Sequence, residues 1–197
     1  MKSTGLNCRY TVQTTSHDVD GNIIQENPET GNSWVDGARD LLGNALIGAS
    51  AFPSSGYIYV MAGSGTNSID VVYDDRLGGN VNALSSNDGL QYEYIGNASR
   101  KILQSVLYTG NVTPADWVQG SYSIGGVTYT RKLQGTVTYN SGETNVGPFQ
   151  RYGLNSSPTL PGTVTGISGL MLNEMIDSAP QNKTTLNSLT VNITLYL

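Results

Sequence analysis

Charged side chains are scarce in this chain. Asp, Glu, Lys and Arg make up 13% of its 197 residues, about half the usual share of roughly 25%. Lys and Arg total 10 against 15 acids, for a net charge of −5, and they form no basic cluster. Nucleic-acid phosphates are met by such clusters, so no direct nucleic-acid partner is expected. Cysteine is nearly absent too: Cys8 is alone, which excludes a disulfide framework within one chain. It lies in an alternating segment and reads as a small buried hydrophobe. With His17 the only histidine, a structural zinc site of the usual Cys and His composition is not encoded. Beside a turn, that histidine reads as a polar surface residue. No GxSxG elbow, Walker loop or HExxH is found. No apolar run approaches the roughly 20 residues of a membrane-spanning helix, and no basic start leads into an apolar stretch as in a standard secretion signal. The expectation is synthesis in a reducing cytoplasm, with no transmembrane segment.

What is abundant points to β-structure. The chain has 24 glycines and 12 tyrosines, with polar character supplied by Asn, Ser and Thr. One β-rich domain over residues 1–197 is expected. The single long helical signal is Asn32–Gly48, NSWVDGARDLLGNALIG. Trp34, Ala38, Leu41, Leu42 and Ala45 recur at helical spacing, Ser33 can cap the start and Gly48 can stop it. One principal helix over Trp34–Ile47, docked on an antiparallel framework, is therefore predicted.

Strand signals surround it. Leu6–Thr15 alternates, and Asp20-Gly21 marks a hairpin into Ile23 and Ile24. Asn27–Thr30 is expected to break that return strand, because Pro28 removes a ladder donor. Gly56–Ala62 and Ile69–Tyr73 read as strands, as does Leu90–Ile95. Arg100–Tyr108 suits either a helix or a strand, and strand is preferred from its neighbours. Tyr122–Thr130 predicts a hairpin turning at Gly125-Gly126, and Gly135 marks a bulge or a close approach in the next strand. Ser188–Leu197 alternates clearly and predicts a strand that ties the C-terminus into the sheet. Two long loops are expected, Asp74–Gly89 and Asn140–Pro161. Together these features predict a mainly β fold, an antiparallel β-sandwich or jelly-roll-like domain with one principal helix in its N-terminal half.

Candidate chemistry is sparse. Asp18, Asp20 and Asn22 superficially resemble a calcium loop, but Gly21 comes too early for that register. Asp74, Asp75 and Arg76 in a glycine-rich loop are candidates for a cation or polar partner. Glu26 and Glu29 would make a glycosidase pair only with another acid placed opposite. Glu174 in GLMLNEMI would need a partner if buried, with Arg100, Lys101 and Arg131 as candidates. The tyrosines, Tyr57, Tyr59, Tyr92 and Tyr94 among them, read as cross-strand packing, with a carbohydrate platform as the sharper alternative. Asn97, Asn111, Asn155, Asn182 and Asn192 open glycosylation-like triplets with no secretion signal beside them. Trp117, Phe149 and Tyr152 are the candidate contact anchors, the last two taken as exposed in the second long loop. No catalytic residue, metal site or cofactor is expected.

The segments Asn27–Gly48, Tyr57–Thr66 (YIYVMAGSGT), Gly169–Met175 (GLMLNEM) and Leu189–Leu197 (LTVNITLYL) together resemble small virion proteins of tailed bacteriophages. The resemblance covers about a third of the chain. It implies a non-enzymatic, β-rich component of a tail, baseplate, neck, collar or head surface, located in the virion. The partners it implies are copies of itself and other virion structural proteins. The rivals are a module binding a host-surface glycan and a glycan hydrolase.

Overall fold

The computed structural model describes residues 9–33, 59–63, 100–143, 147–155 and 171–197. The first strand, Arg9–His17 (β1), turns at Asp18–Asn22 into Ile23–Ser33 (β2). Asp18 builds that turn: its Oδ1 accepts from the Asp20 and Asn22 amides at 2.9 and 2.8 Å. The acids and amide that superficially resemble a calcium loop thus serve a hairpin. Next come Tyr59–Gly63 (β3), Lys101–Ile102 (β4), Gln104–Ser105 (β5) and a single 3-10 turn, Pro114–Asp116. The remaining strands are Val118–Ile124 (β6), Val127–Tyr139 (β7), Gly147–Asn155 (β8), Met171–Lys183 (β9) and Ser188–Tyr196 (β10). The β6–β7 hairpin turns at Gly125 and Gly126, whose φ values of 58° and 80° suit glycine in the tight turn that matches strand twist.

All pairings among these strands are antiparallel. One six-stranded sheet runs β2-β1-β10-β7-β5, with β6 also on β7, and a four-stranded sheet runs β4-β3-β8-β9. Strict alternation in β10 explains its central place. Leu189, Val191, Ile193 and Leu195 are at most 1% exposed, while Thr190, Asn192 and Thr194 point to the opposite face. The core side is completed by Tyr10 and Val12 of β1, by Leu133, Val137 and Tyr139 of β7, and by Val60, Phe149, Tyr152 and Leu154 of the smaller sheet. The Tyr10 hydroxyl donates to the Tyr152 carbonyl at 3.3 Å, linking the two sheets inside the core.

Leu103 lies where the chain leaves β4 of one sheet and enters β5 of the other, and it is fully buried. It fills the space over Gly135, where an added Cβ would lie 2.4 Å from Leu103 Cγ. Of the two readings of this glycine, a bulge or a close approach, the structure shows the close approach, and its cause is a sheet-crossing leucine. The return crossing, between β9 and β10, is organised by Asn187. Its Oδ1 accepts from the Thr184 amide at 2.5 Å and its Nδ2 donates to the Asn182 carbonyl at 2.7 Å.

Several expectations are corrected. The sandwich or jelly-roll reading fails because both described sheets are open, and neither is closed into a sandwich or barrel. The predicted principal helix, Trp34–Ile47, lies outside the described residues; among the described residues the only helical element is the 3-10 turn Pro114–Asp116. Asn32 and Ser33, expected to open and cap the helix, instead extend β2 opposite Tyr10 and Arg9. The rest of that helix, Trp34–Gly48, lies outside the described residues, as do Cys8, the strands Ile69–Tyr73 and Leu90–Ile95, and the loop Asp74–Gly89. Pro28 does not end β2. The register shifts there, so Gln13 faces both Pro28 and Glu29 in a bulge on an outer strand, where no ladder donor is required. The expected loop Asn140–Pro161 is interrupted by β8, and Phe149 and Tyr152 are 0% and 1% exposed rather than surface anchors. Phe149 packs edge-on against Tyr139 with ring centroids 5.2 Å apart.

Two mutations test this packing by urea unfolding. Gly135→Ala is expected to cost about 1–3 kcal/mol through overpacking against Leu103, and the loss should shrink when Leu103→Ala is added. Phe149→Ala is expected to cost about 3–5 kcal/mol, the range for truncating a buried ring. A change below about 0.5 kcal/mol would place the ring on the surface.

Candidate functional site on the outer face of the six-stranded sheet

The face of the larger sheet turned away from the core carries an ordered set of polar side chains. Strand register brings them into line from distant parts of the chain. Thr11 of β1, Thr194 of β10 and Gln134 of β7 lie side by side, and Gln13, Asn192, Thr136 and Gln104 form the next row. A third row holds Glu26, Thr15, Thr190 and Thr138, with the Thr138 and Thr190 hydroxyls 3.3 Å apart. Thr11, Thr194 and Gln134 of the first row and Gln13 and Asn192 of the second floor a cleft of about 280 Å³, walled by Glu29 on one side and by Val106 on the other.

At one end the cleft meets an aromatic cluster. The Tyr196 ring lies 5.6 Å from that of Tyr129 and 6.1 Å from that of Tyr122. Lys132 stacks over Tyr122 with its ammonium 4.9 Å from the centroid, a cation–π contact. Burial, with the Glu29 carboxylate adding to it, pushes the Tyr196 phenol above its ordinary value of 10.0, against opposing hydrogen bonds from Thr11 and Thr194. The phenol is thus a neutral hydroxyl at physiological pH. Thr11 also donates to Glu29, and Gln13 Nε2 donates to Glu26 Oε1 at 2.7 Å. The amides of Gln134 and Asn192 have no hydrogen-bond partner among the described residues and are not sealed from solvent.

The apolar wall is held in place by a buried acid. Asp116 is fully buried and accepts from Ser105 Oγ, and from the Thr113 amide and hydroxyl at 2.7 and 3.0 Å. Ser105 Oγ in turn accepts from the amides of Leu107 and Tyr108 at 3.0 and 2.8 Å. One carboxylate therefore shapes the loop that presents Val106, Leu107 and Tyr108 to solvent. Burial pushes the Asp116 carboxyl up, but the donors from Ser105 and Thr113 outweigh it and hold it below the ordinary 3.8.

The sequence-derived candidates fall elsewhere. Asp74, Asp75 and Arg76 lie outside the described residues. Phe149 and Tyr152 are core residues, and Trp117 follows the 3-10 turn, half-buried against the same core. Glu26 and Glu29 both sit on β2, hydrogen-bonded by Gln13 and Thr11. Lys101, a candidate partner for Glu174, instead donates to Glu143 at 2.6 Å. The Glu174 side chain is outside the description. The acid that sequence reading passed over is Asp177, which is buried and accepts from Thr14 Oγ1 at 2.5 Å. Its neighbours in sequence are small or apolar and give no local signal. Among the described residues no three His, Cys, Asp or Glu side chains gather as a metal site, and no helix is long and apolar enough to cross a membrane.

Asp116→Asn replaces an accepting oxygen by a donor facing donors, and is expected to cost about 1–3 kcal/mol at pH 7. Because the folded carboxyl titrates below its unfolded value, its contribution is complete above pH 3.8 and is lost as pH falls through the folded value. Urea melts of the wild type and the variant should therefore differ at pH 7 and converge on acidification below about pH 3.8.

No protein-family model, curated protein or solved structure matches this chain, so its candidate site stands on its own geometry.

Proposed function

We propose that this chain is a non-enzymatic structural component of a tailed-bacteriophage particle, assembling with copies of itself and with other virion proteins. One observation carries the assembly reading. β2 is the outermost described strand of the larger sheet, and it leaves Ile23 and Ile24 61% and 58% exposed, with Val19 at the same hairpin 70% exposed. An outer strand bearing exposed apolar side chains is a template for another chain unless it is covered. The β5 loop adds Leu107 and Tyr108 at 49% and 58% exposed. These surfaces replace Phe149 and Tyr152 as the expected contacts. The low charge of the chain suits a contact that does not depend on ion pairs screened by salt. The virion assignment comes from the resemblance of Asn27–Gly48, Tyr57–Thr66, Gly169–Met175 and Leu189–Leu197 to phage structural proteins.

Native mass spectrometry and analytical ultracentrifugation across a concentration series test the assembly, and gold-labelled antibody on purified particles tests the location. An oligomer and labelled particles are expected. Removing two apolar contacts worth about 1.5–3 kcal/mol each with Ile23→Thr and Ile24→Thr should weaken association at least about tenfold while leaving thermal melting within a few degrees of wild type. A chain that stays monomeric at high concentration and is missing from particles would overturn the proposal.

A further inference from the structure

We infer that the cleft on the outer face of the six-stranded sheet binds a neutral saccharide. Three primary amides line it: Gln13, which is committed to Glu26, and Gln134 and Asn192, which stand on neighbouring strands β7 and β10, diagonal to each other across the ladder. The latter two are accessible and have no protein partner among the described residues. Each amide offers two donors and an acceptor oxygen. A sugar hydroxyl is both donor and acceptor, so adjacent amides can engage neighbouring hydroxyls of one ring in both senses.

The surroundings select for the same chemistry. Thr11 already donates to Glu29, which fixes its hydroxyl beside the amides before any ligand arrives. All these groups stand on paired strands, a more rigid base than a loop. Val106 supplies an apolar wall against which the C–H face of a ring can rest. Among the described residues Glu29 is the one charged side chain lining the cleft, with Arg9 and Lys132 one row away, opposite Tyr196, so phosphates, sulfates and acidic sugars would meet a like charge in the cleft itself. The volume, about 280 Å³, lies near the lower end of small-molecule sites, roughly 300–1,000 Å³. It suits a short sugar unit rather than a long segment of polymer. Cleavage is not implied: glycoside hydrolysis uses a pair of carboxyl groups flanking the bond, and Glu29 is the one carboxylate lining the cleft among the described residues. A monomer would carry this cleft as well as an oligomer, so the site and the assembly can fail separately.

Glucose, galactose, mannose and N-acetylglucosamine, with glucuronate and inorganic phosphate as charged controls, are titrated against the full chain by saturation-transfer NMR. At least one neutral sugar should bind, with an affinity unchanged by added salt, and the charged probes should not. The double variant Gln134→Ala/Asn192→Ala should raise Kd by about tenfold or more, through the loss of the amide hydrogen bonds. Both positions are surface polar residues, and thermal melting confirms that the variant is folded. Gln134→Glu, which keeps the shape but adds charge, should also weaken binding. Failure of every neutral sugar to bind at about millimolar concentration, an unchanged Kd in the folded double variant, or preferential binding of glucuronate or phosphate would each overturn the inference.

Discussion

The two sheets are held together by a place where one of them breaks. Between Phe149 opposite Gln181 and Arg151 opposite Ile176, β9 carries the extra residues Asp177–Pro180, while β8 carries only Gln150. That bulge frees backbone carbonyls and one carboxylate from the smaller sheet, and β1 and β2 of the larger sheet supply the donors. Asn27 Nδ2 reaches the Ala179 carbonyl at 2.8 Å and Gln25 Nε2 reaches the Pro180 carbonyl at 3.2 Å. Thr14 Oγ1 donates to Asp177, while Gln150 Nε2 closes the gap by donating to the Asp177 carbonyl at 3.2 Å. Gln181, fully buried, adds a donor to Thr14 Oγ1 at 3.1 Å. Buried polar groups are costly unless paired. This seam therefore specifies one arrangement of the sheets more sharply than apolar packing would. The apolar cluster supplies the greater part of the driving force, but it is tolerant of small slips; the seam is not.

Much of the larger sheet was legible because its signals are local. Asp20-Gly21 and Gly125-Gly126 mark hairpins by the backbone conformations they permit, and the alternation from Ser188 to Tyr196 declares a strand with one buried face. Gly135 was legible as a bulge or a close approach, although the residue approaching, Leu103, was not. The second sheet was harder to read. Pro148 suggested loop, yet it is tolerated near the start of β8, before the pairing with β3 begins at Arg151. Pro180 lies within β9 because the bulge removes the need for its missing donor. Pro148 was read by its propensity, as part of the loop Asn140–Pro161, and tertiary context decided otherwise. Asn32 and Ser33 show the same thing in reverse: capping chemistry is present, but pairing with β1 takes both residues.

The cleft had no local signature at all. Gln13, Gln134 and Asn192 are ordinary polar positions on the exposed faces of three strands. Only the β1–β10–β7 register places them together, and register is a long-range property that pattern reading does not reach. The aromatic end of the cleft is of the same kind: Tyr122 and Tyr129 face each other across one hairpin, but Tyr196 joins them from another strand.

The central position of β10 has a consequence for how the chain reaches this structure. Residue 9 pairs with residue 196, and residue 139 with residue 189. Until β10 is in place, the β1–β2 hairpin and the β6–β7 hairpin share no strand, and the apolar faces of both remain uncovered. Folding thus waits on pairing at long sequence separation, the class of contact that closes slowly because loop entropy is lost before the contact is made. During synthesis the nascent chain carries two unpaired inner edges at once, and that interval adds a vulnerability to aggregation beyond the outer strand that the folded state exposes.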